Sequence, residues 1–423
     1  MMLSLIFPLL TGLISTPSDL LEFLKKPDTS YAYSVEKTQG ATTTIRMTSQ
    51  TWHGVEWKHQ ILYSLPEGAG KKGVAILYVT GDGPRPGDYS DIALMSHSTG
   101  MPIAMLFDEP NQPLWGLRED DLIAYTFKNY LDTGDTSWPL LFPMTRSAVR
   151  AMDTIQDATK NSSNPITSFV VTGASKRGWT TWMTAAIGDP RVKGVAPMVY
   201  DNLNIPAQMP HQIDSWGAYS EMIEAYTKLG LQSELNGGRG KKLGAMVDPY
   251  SYRANFRVPI LVVKGSNDPY WAADAADLYF NNLRPAHWMF TVPNAGHALN
   301  GGFLASQTIG AFARSIAGEM SMPSLSPKLT IRHEGSQRIV TYRFKSPSGA
   351  VRIHPYVALA NKTDFRKVKY EVPSLLENRP NAISFAVADT TSAAFFLEAI
   401  YKTPDGKEFG LSTPTKVIKK STD

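Results

Sequence analysis

The segment FVVTGASKRGWTTW, residues 169–182, constrains the fold of this chain more than any other. Phe169, Val170, Val171 and Thr172 are β-branched or aromatic and read as a buried strand, whereas Trp179 and Trp182 share one face of a helix. Between them the chain must turn from strand to helix through Gly173-Ala174-Ser175-Lys176-Arg177-Gly178. A serine on such an elbow sits in a strained turn with its hydroxyl above the carboxyl edge of a parallel sheet, and the next residue's N–H points where an oxyanion would form. Ser175 therefore reads as a nucleophile and the Lys176 N–H as an oxyanion donor. Gly173 is assigned the sharp bend and Gly178 the close approach of helix to sheet. The second glycine follows the serine by three positions, a departure from G-x-S-x-G. Serine is also a favoured helix cap, so the elbow alone leaves a plain capped turn open.

The partners come next. In this topology the order is nucleophile, acid, histidine, each beyond a strand. VPILVVKGSNDPYW supplies a strand at residues 260–263 followed by Asp268, and HWMFTVPNAGHAL a strand at residues 288–292 followed by His297. The other seven histidines follow no such pattern. Ser175, His297 and Asp268 in this order form a candidate triad: His297 takes the serine proton and returns it to the leaving group, and Asp268 orients the imidazole. The second oxyanion donor is expected from Gly81 or Asp82, in the TGDG loop after the strand at 74–79. That loop lacks the Gly-Lys-Ser/Thr ending of a phosphate cradle. No metal or other cofactor is expected.

Strand-like and helical runs alternate from Val74 to Val292, which predicts a mostly parallel, doubly wound sheet with helices on both faces, an α/β-hydrolase fold. Further strands are expected at 42–51 and 55–64, and a short helix at 19–25. Insertions at residues 109–142 and 203–256 interrupt the alternation on the catalytic edge and read as lids or binding walls. Of Met209, Trp216, Tyr219, Met222 and Tyr226 in the second, most are expected to pack on the body. After about Ser324 the period shortens to two. Strands at 329–333, 338–344, 351–358, 367–371, 382–388, 394–401 and 415–419 predict an antiparallel, immunoglobulin-like β-sandwich. The division is then residues 1–15, a signal peptide; 16–323, the hydrolase body; and 324–423, an accessory β domain.

A net charge of +4, unclustered over 423 residues, gives no basic stripe for nucleic acid. The absence of cysteine excludes disulfides and thiolate chemistry. Residues 3–14 are apolar, of signal-peptide length, too short to span a bilayer as a mature anchor, and end before the small Ser15; no Lys or Arg precedes them. A secreted or periplasmic location is expected.

The runs TSQTWHGVEWKHQILYSLP, PNQPLWGLREDDLIAYTF, TGDTSWPLLFPMTRSAVRAMD, VVTGASKRGWTTWMTAA, MPHQIDSWGAYSEMIEAYTKLG, AMVDPYSYR and VPNAGHALN resemble the PhoPQ-activated pathogenicity-related proteins. The resemblance extends from about Leu21 into the C-terminal segment. It implies an exported α/β-hydrolase-like protein whose Ser, Asp and His fall on Ser175, Asp268 and His297, and it names no substrate. Where a glycine-rich segment is expected, this chain has TGDGPRPGD, with Asp82 near the oxyanion hole. Lys176 also resembles the basic residue that follows the nucleophile in glucuronoyl esterases. Three readings stay open: an esterase acting on small or polymer-linked esters; a peptidase or amidase resembling the prolyl oligopeptidase group, for which no acidic pair to bind an amine is recognisable; and a binding or signalling protein with a vestigial triad.

Overall fold

The computed structural model describes residues 17–68, 72–345 and 349–421. The apolar run read as a signal peptide lies outside them. In chain order the body comprises α1 (Asp19–Lys25), an antiparallel meander of β1 (Ala32–Gln39), β2 (Thr42–Trp52) and β3 (Val55–Ser64), then β4 (Val74–Val79), α2 (Pro86–Thr99), β5 (Ile103–Leu106), α3 (Glu119–Thr133), α4 (Leu141–Thr159), β6 (Ser168–Ala174), α5 (Lys176–Ala186) and β7 (Val192–Met198). The second insertion folds as α6 (Ile205–Trp216), α7 (Glu224–Lys228), α8 (Leu231–Glu234) and α9 (Gly238–Val247); β8 (Ile260–Gly265), β9 (His287–Val292) and α10 (Phe303–Ile316) complete the body.

Strands β5-β4-β6-β7-β8-β9 are mutually parallel and lie side by side in that order. They are continuous apolar runs because helices cover both faces. VAILYV of β4 and ILVVKG of β8 are almost wholly buried. The order reverses between β4 and β6, so the loops after these two strands flank the crevice where open α/β sheets bind ligands. Strand β1 is not among those expected from the sequence. It is an exposed edge strand, AYSVEKTQ, whose charges blur any alternation.

Beyond Ser324 come β10 (Lys328–Glu334), β11 (Gln337–Arg343), β12 (Arg352–Ala360), β13 (Leu375–Arg379), β14 (Ala382–Ala388), β15 (Ser392–Lys402), β16 (Glu408–Ser412) and β17 (Lys416–Ile418). A separate antiparallel sheet, β10-β11-β14-β13, packs on the other strands through Tyr342, Phe385, Phe395 and Leu397, forming the two layers of the expected sandwich. The second layer, however, continues the body's sheet: β16 pairs with β9 at Ser412 and Met289, giving thirteen strands in all.

Residues 367–371 are not the expected strand but a loop, in which only Glu371 bridges Val357; exposure alternates along them as in a strand, but the backbone of Val368 and Tyr370 bonds the side chains of Asn267 and Asn294 instead of a neighbouring strand. Strands β13 and β16 were not anticipated, the former because Leu375–Arg379 is exposed and polar and the latter because EFGLS is short and contains glycine.

Candidate active site

Ser175 joins β6 to α5 with φ 59° and ψ −123°, a backbone region that a residue bearing a side chain occupies only under strain. Its N–H donates to Met198 O (3.0 Å) and its carbonyl accepts from Trp179 N–H (2.9 Å), so both strand neighbours and helix fix the turn. The glycines provide space. A Cβ on Gly178 would lie 2.5 Å from Met198 O, and one on Gly173 would lie 2.7 Å from Arg177 O. Gly178 thus has the role read from sequence. Gly173 differs: it does not supply the bend, which Ser175 itself takes, but admits the first turn of α5.

Asp268 and His297 lie on the loops after β8 and β9. Both carboxylate oxygens of Asp268 meet His297 Nδ1, at 3.0 and 2.9 Å. His297 Nε2 is buried and has no partner; no hydrogen bond joins it to Ser175 Oγ, and such contacts often tighten only when substrate binds. Tyr270 stacks on the imidazole with ring centres 4.1 Å apart. The two loops are locked together: Asn267 N–H donates to Ala295 O (2.9 Å), Asn294 N–H to Ser266 Oγ (2.8 Å), and a Cβ on Gly265 would lie 2.3 Å from Ala295 O.

The C-terminal segment takes part in this support. Asn267 Nδ2 donates to the carbonyls of Phe365 (2.9 Å) and Val368 (2.8 Å), and Asn294 exchanges a pair of hydrogen bonds with the Tyr370 backbone at 2.9 and 2.7 Å. Each asparagine is near a member of the candidate triad in sequence. Neither they nor Tyr270 were singled out from sequence, because an Asn in a turn and a Tyr after Pro are ordinary loop residues.

On the other side of Ser175 lies a cluster of four charges. Lys176 Nζ pairs with Asp120 (2.8 Å) and Glu119 (3.2 Å), and Arg177 holds Glu119 through two bonds of 2.8 Å. Burial opposes the charge on Lys176, yet Asp120 and Glu119 outweigh it and raise its pKa. Burial also works against Glu119, but Arg177 prevails and holds its carboxyl at about 2. Two basic and two acidic side chains are thus paired with one another beside Ser175.

The N–H of Lys176, at the first position of α5, has no intrahelical acceptor. Gly81 lies on the loop after β4, whose Val79 is opposite Gly173. The Arg177 guanidinium fills the place of its missing side chain, 2.7 Å from a Cβ. Asp82 turns its carboxylate to Arg118 and to Gln112 Nε2 (3.0 Å), both from the first insertion. Lys176 lines the cavity beside Ser175, whereas Gly81 and Asp82 do not.

That cavity, about 80 Å³, is walled by both insertions: Phe127 of α3, and Met209, Tyr226, Leu235 and Leu243 of the second. Met209 and Tyr226 thus face the cavity, while Trp216 packs under the Arg366 guanidinium, 4.2 Å away. His297 borders a different cavity, of about 290 Å³, on the side of α2 and α10. Among the described residues, no group of three or more His, Asp or Glu side chains could hold a metal ion, and no helix is long and apolar enough to cross a membrane.

The model of the PhoPQ-activated pathogenicity-related proteins matches residues 20–366, from α1 to the loop that braces Asn267 and Asn294. The chain belongs to this family. Autocrine proliferation repressor protein A of Dictyostelium discoideum, a curated relative, is 33% identical over 324 residues, 71% of this chain. The match spans 65% of that longer protein. Solved structures similar to this family member include acetyl xylan esterase 1 from Thermoanaerobacterium sp. JW/SL YS485 (15% identity; 72% of this chain and 96% of that one; TM-score 0.49). An S-formylglutathione hydrolase from Agrobacterium tumefaciens is also similar (12% identity; 68% and 99%; TM-score 0.43). Similarity of this degree speaks to neither activity nor substrate.

Proposed function

We propose that this protein is a serine hydrolase of carboxylic esters, working through an acyl-enzyme on Ser175. The observation that carries the reading is the His297 side chain: Asp268 engages its Nδ1 from both oxygens, while its buried Nε2 is unpartnered on the same sheet edge as the strained Ser175. In this mechanism Ser175 Oγ bonds to the ester carbonyl carbon as its proton passes to Nε2. The tetrahedral oxyanion is held by the Lys176 N–H, with Gly81 or Asp82 as the second backbone donor. Collapse breaks the bond to the alcohol oxygen, which takes the proton from His297. Water, deprotonated by the same nitrogen, then releases the acid.

Glu119 and Asp120 form an acidic pair of the kind an amine-binding peptidase needs. Lys176 and Arg177 engage both, so the arrangement gives the amidase reading no support. The apolar run at residues 3–14 supports export to the periplasm or beyond.

The test is hydrolysis of p-nitrophenyl acetate by the purified chain and by Ser175→Ala. The proposal predicts a loss of at least about 10³-fold in kcat with the circular-dichroism spectrum unchanged. Equal turnover by the two proteins, or none by the wild type on any ester, overturns it.

A further inference from the structure

The cavity beside Ser175 has properties that go beyond the presence of a nucleophile. Its walls are almost entirely apolar: Phe127, Ile205, Met209, Ile223, Leu235 and Leu243 converge on it from both insertions. Its two charged groups are already engaged, and the buried Tyr200 hydroxyl and Asn202 Oδ1, which have no hydrogen-bond partner, are neutral. Asp120 accepts from the Tyr226 hydroxyl (3.0 Å) and pairs with Lys176, so neither the carboxylate nor the ammonium is free for a charged ligand. Its volume of about 80 Å³ is roughly half that of a cavity that admits benzene, space for about half of that ring's non-hydrogen atoms.

The cavity's position decides which part of an ester could fill it. The leaving-group oxygen must take a proton from His297 Nε2 and so lies on the His297 side of the carbonyl carbon. His297 does not line this cavity, and the Tyr270 ring, which does, is stacked between imidazole and cavity wall. The substituent that enters beside Ser175 and Lys176 is then the other one, the acyl chain.

We infer that this cavity is an acyl pocket selecting short, uncharged acyl groups, with butyryl the best fit among unbranched chains. This deepens the esterase reading and rests on it. The two insertions, in this account, set specificity by closing the pocket over the third carbon of the chain beyond the carbonyl.

The experiment compares kcat/KM for p-nitrophenyl acetate, butyrate, octanoate and hemisuccinate, with a fluorophosphonate label reporting on Ser175 separately. Burying a methylene corresponds to about a fourfold gain, so butyrate is expected to exceed acetate by roughly tenfold or more. Octanoate and hemisuccinate are expected to fall at least about tenfold below butyrate, the first for want of space and the second because a buried carboxylate finds no unpaired cation there. Met209→Ala and Leu243→Ala, made separately, each enlarge the pocket and should raise the octanoate-to-butyrate ratio at least about tenfold. A labelled protein whose rates are flat or rise steadily to octanoate overturns the pocket and leaves the nucleophile standing, and so does hemisuccinate turned over like butyrate. Absence of both labelling and hydrolysis overturns the esterase reading and the pocket with it. The wild-type profile decides even if neither variant folds.

Discussion

Ser175 stores strain that can be measured without a substrate. At φ 59° and ψ −123° its Cβ costs about 1–3 kcal/mol, a cost glycine avoids. Ser175→Gly is therefore expected to unfold in urea with about 1 kcal/mol more stability than Ser175→Ala, both being inactive. Equal stability would mean the elbow is unstrained. Gly178→Ala tests the neighbouring constraint: its Cβ would meet backbone, Met198 O at 2.5 Å, so α5 must move from the sheet. We expect a destabilisation of about 2 kcal/mol and a loss of activity through displaced Ser175. At this scale the elbow, Asp268 and His297 were legible because each is tied to the end of an apolar strand. The pairing of Lys176 and Arg177 with Glu119 and Asp120 was not legible, since the two pairs are more than fifty residues apart and nothing in local sequence relates them. Nor was it legible that Asp82, near the expected oxyanion hole, turns its carboxylate to Arg118 and Gln112 of the insertion.

The second insertion holds its shape through one buried carboxylate. Asp248 accepts from the N–H groups of Tyr250 (2.9 Å), Asn204 (3.1 Å) and Ile205 (2.8 Å), joining the start of α6 to the end of α9. Asp248→Ala leaves three backbone donors without a partner and should cost on the order of 3 kcal/mol by thermal or urea unfolding. An unaltered unfolding midpoint would show that the pocket wall does not depend on this closure. On β15, burial pushes the Glu398 carboxyl up from 4.5 to about 7, with Arg352 opposing. Because its folded pKa is raised, the stability this group permits is fully present below pH 4.5 and is lost as pH rises through about 7. Glu398→Gln is expected to match wild type at about pH 4 and to exceed it by on the order of 3 kcal/mol at about pH 8. A pH-independent difference would contradict this assignment. Elements buried on both faces, such as β4 and β8, were readable from composition alone. Strand β1 and the 367–371 loop were not: an exposed edge carries no clear period, and the loop alternates like a strand while its backbone is held by Asn267 and Asn294 from distant loops.

Across the whole molecule, the change of period near Ser324 was plain in the sequence, but the continuity of the sheet was not. It depends on one paired position between β9 and β16, and on Gly410, where a Cβ would lie 2.2 Å from the Phe290 ring. Tyr401, Phe409 and Leu411 belong to the same core as Phe290 and Phe312. The segment after Ser324 therefore buries apolar surface of the body and braces both loops of the candidate site through Asn267 and Asn294. Asn294→Ala should lower kcat about tenfold with little effect on KM, since it loosens the His297 loop without touching the acyl pocket. A change in KM alone would place this residue in substrate binding. Whether Ser175 is the nucleophile of this fold is read from the mass of the intact protein after reaction with a fluorophosphonate, followed by peptide mapping. A single phosphonyl adduct is expected on Ser175, absent in Ser175→Ala. A folded protein that acquires no adduct, or one located on another residue, would contradict it.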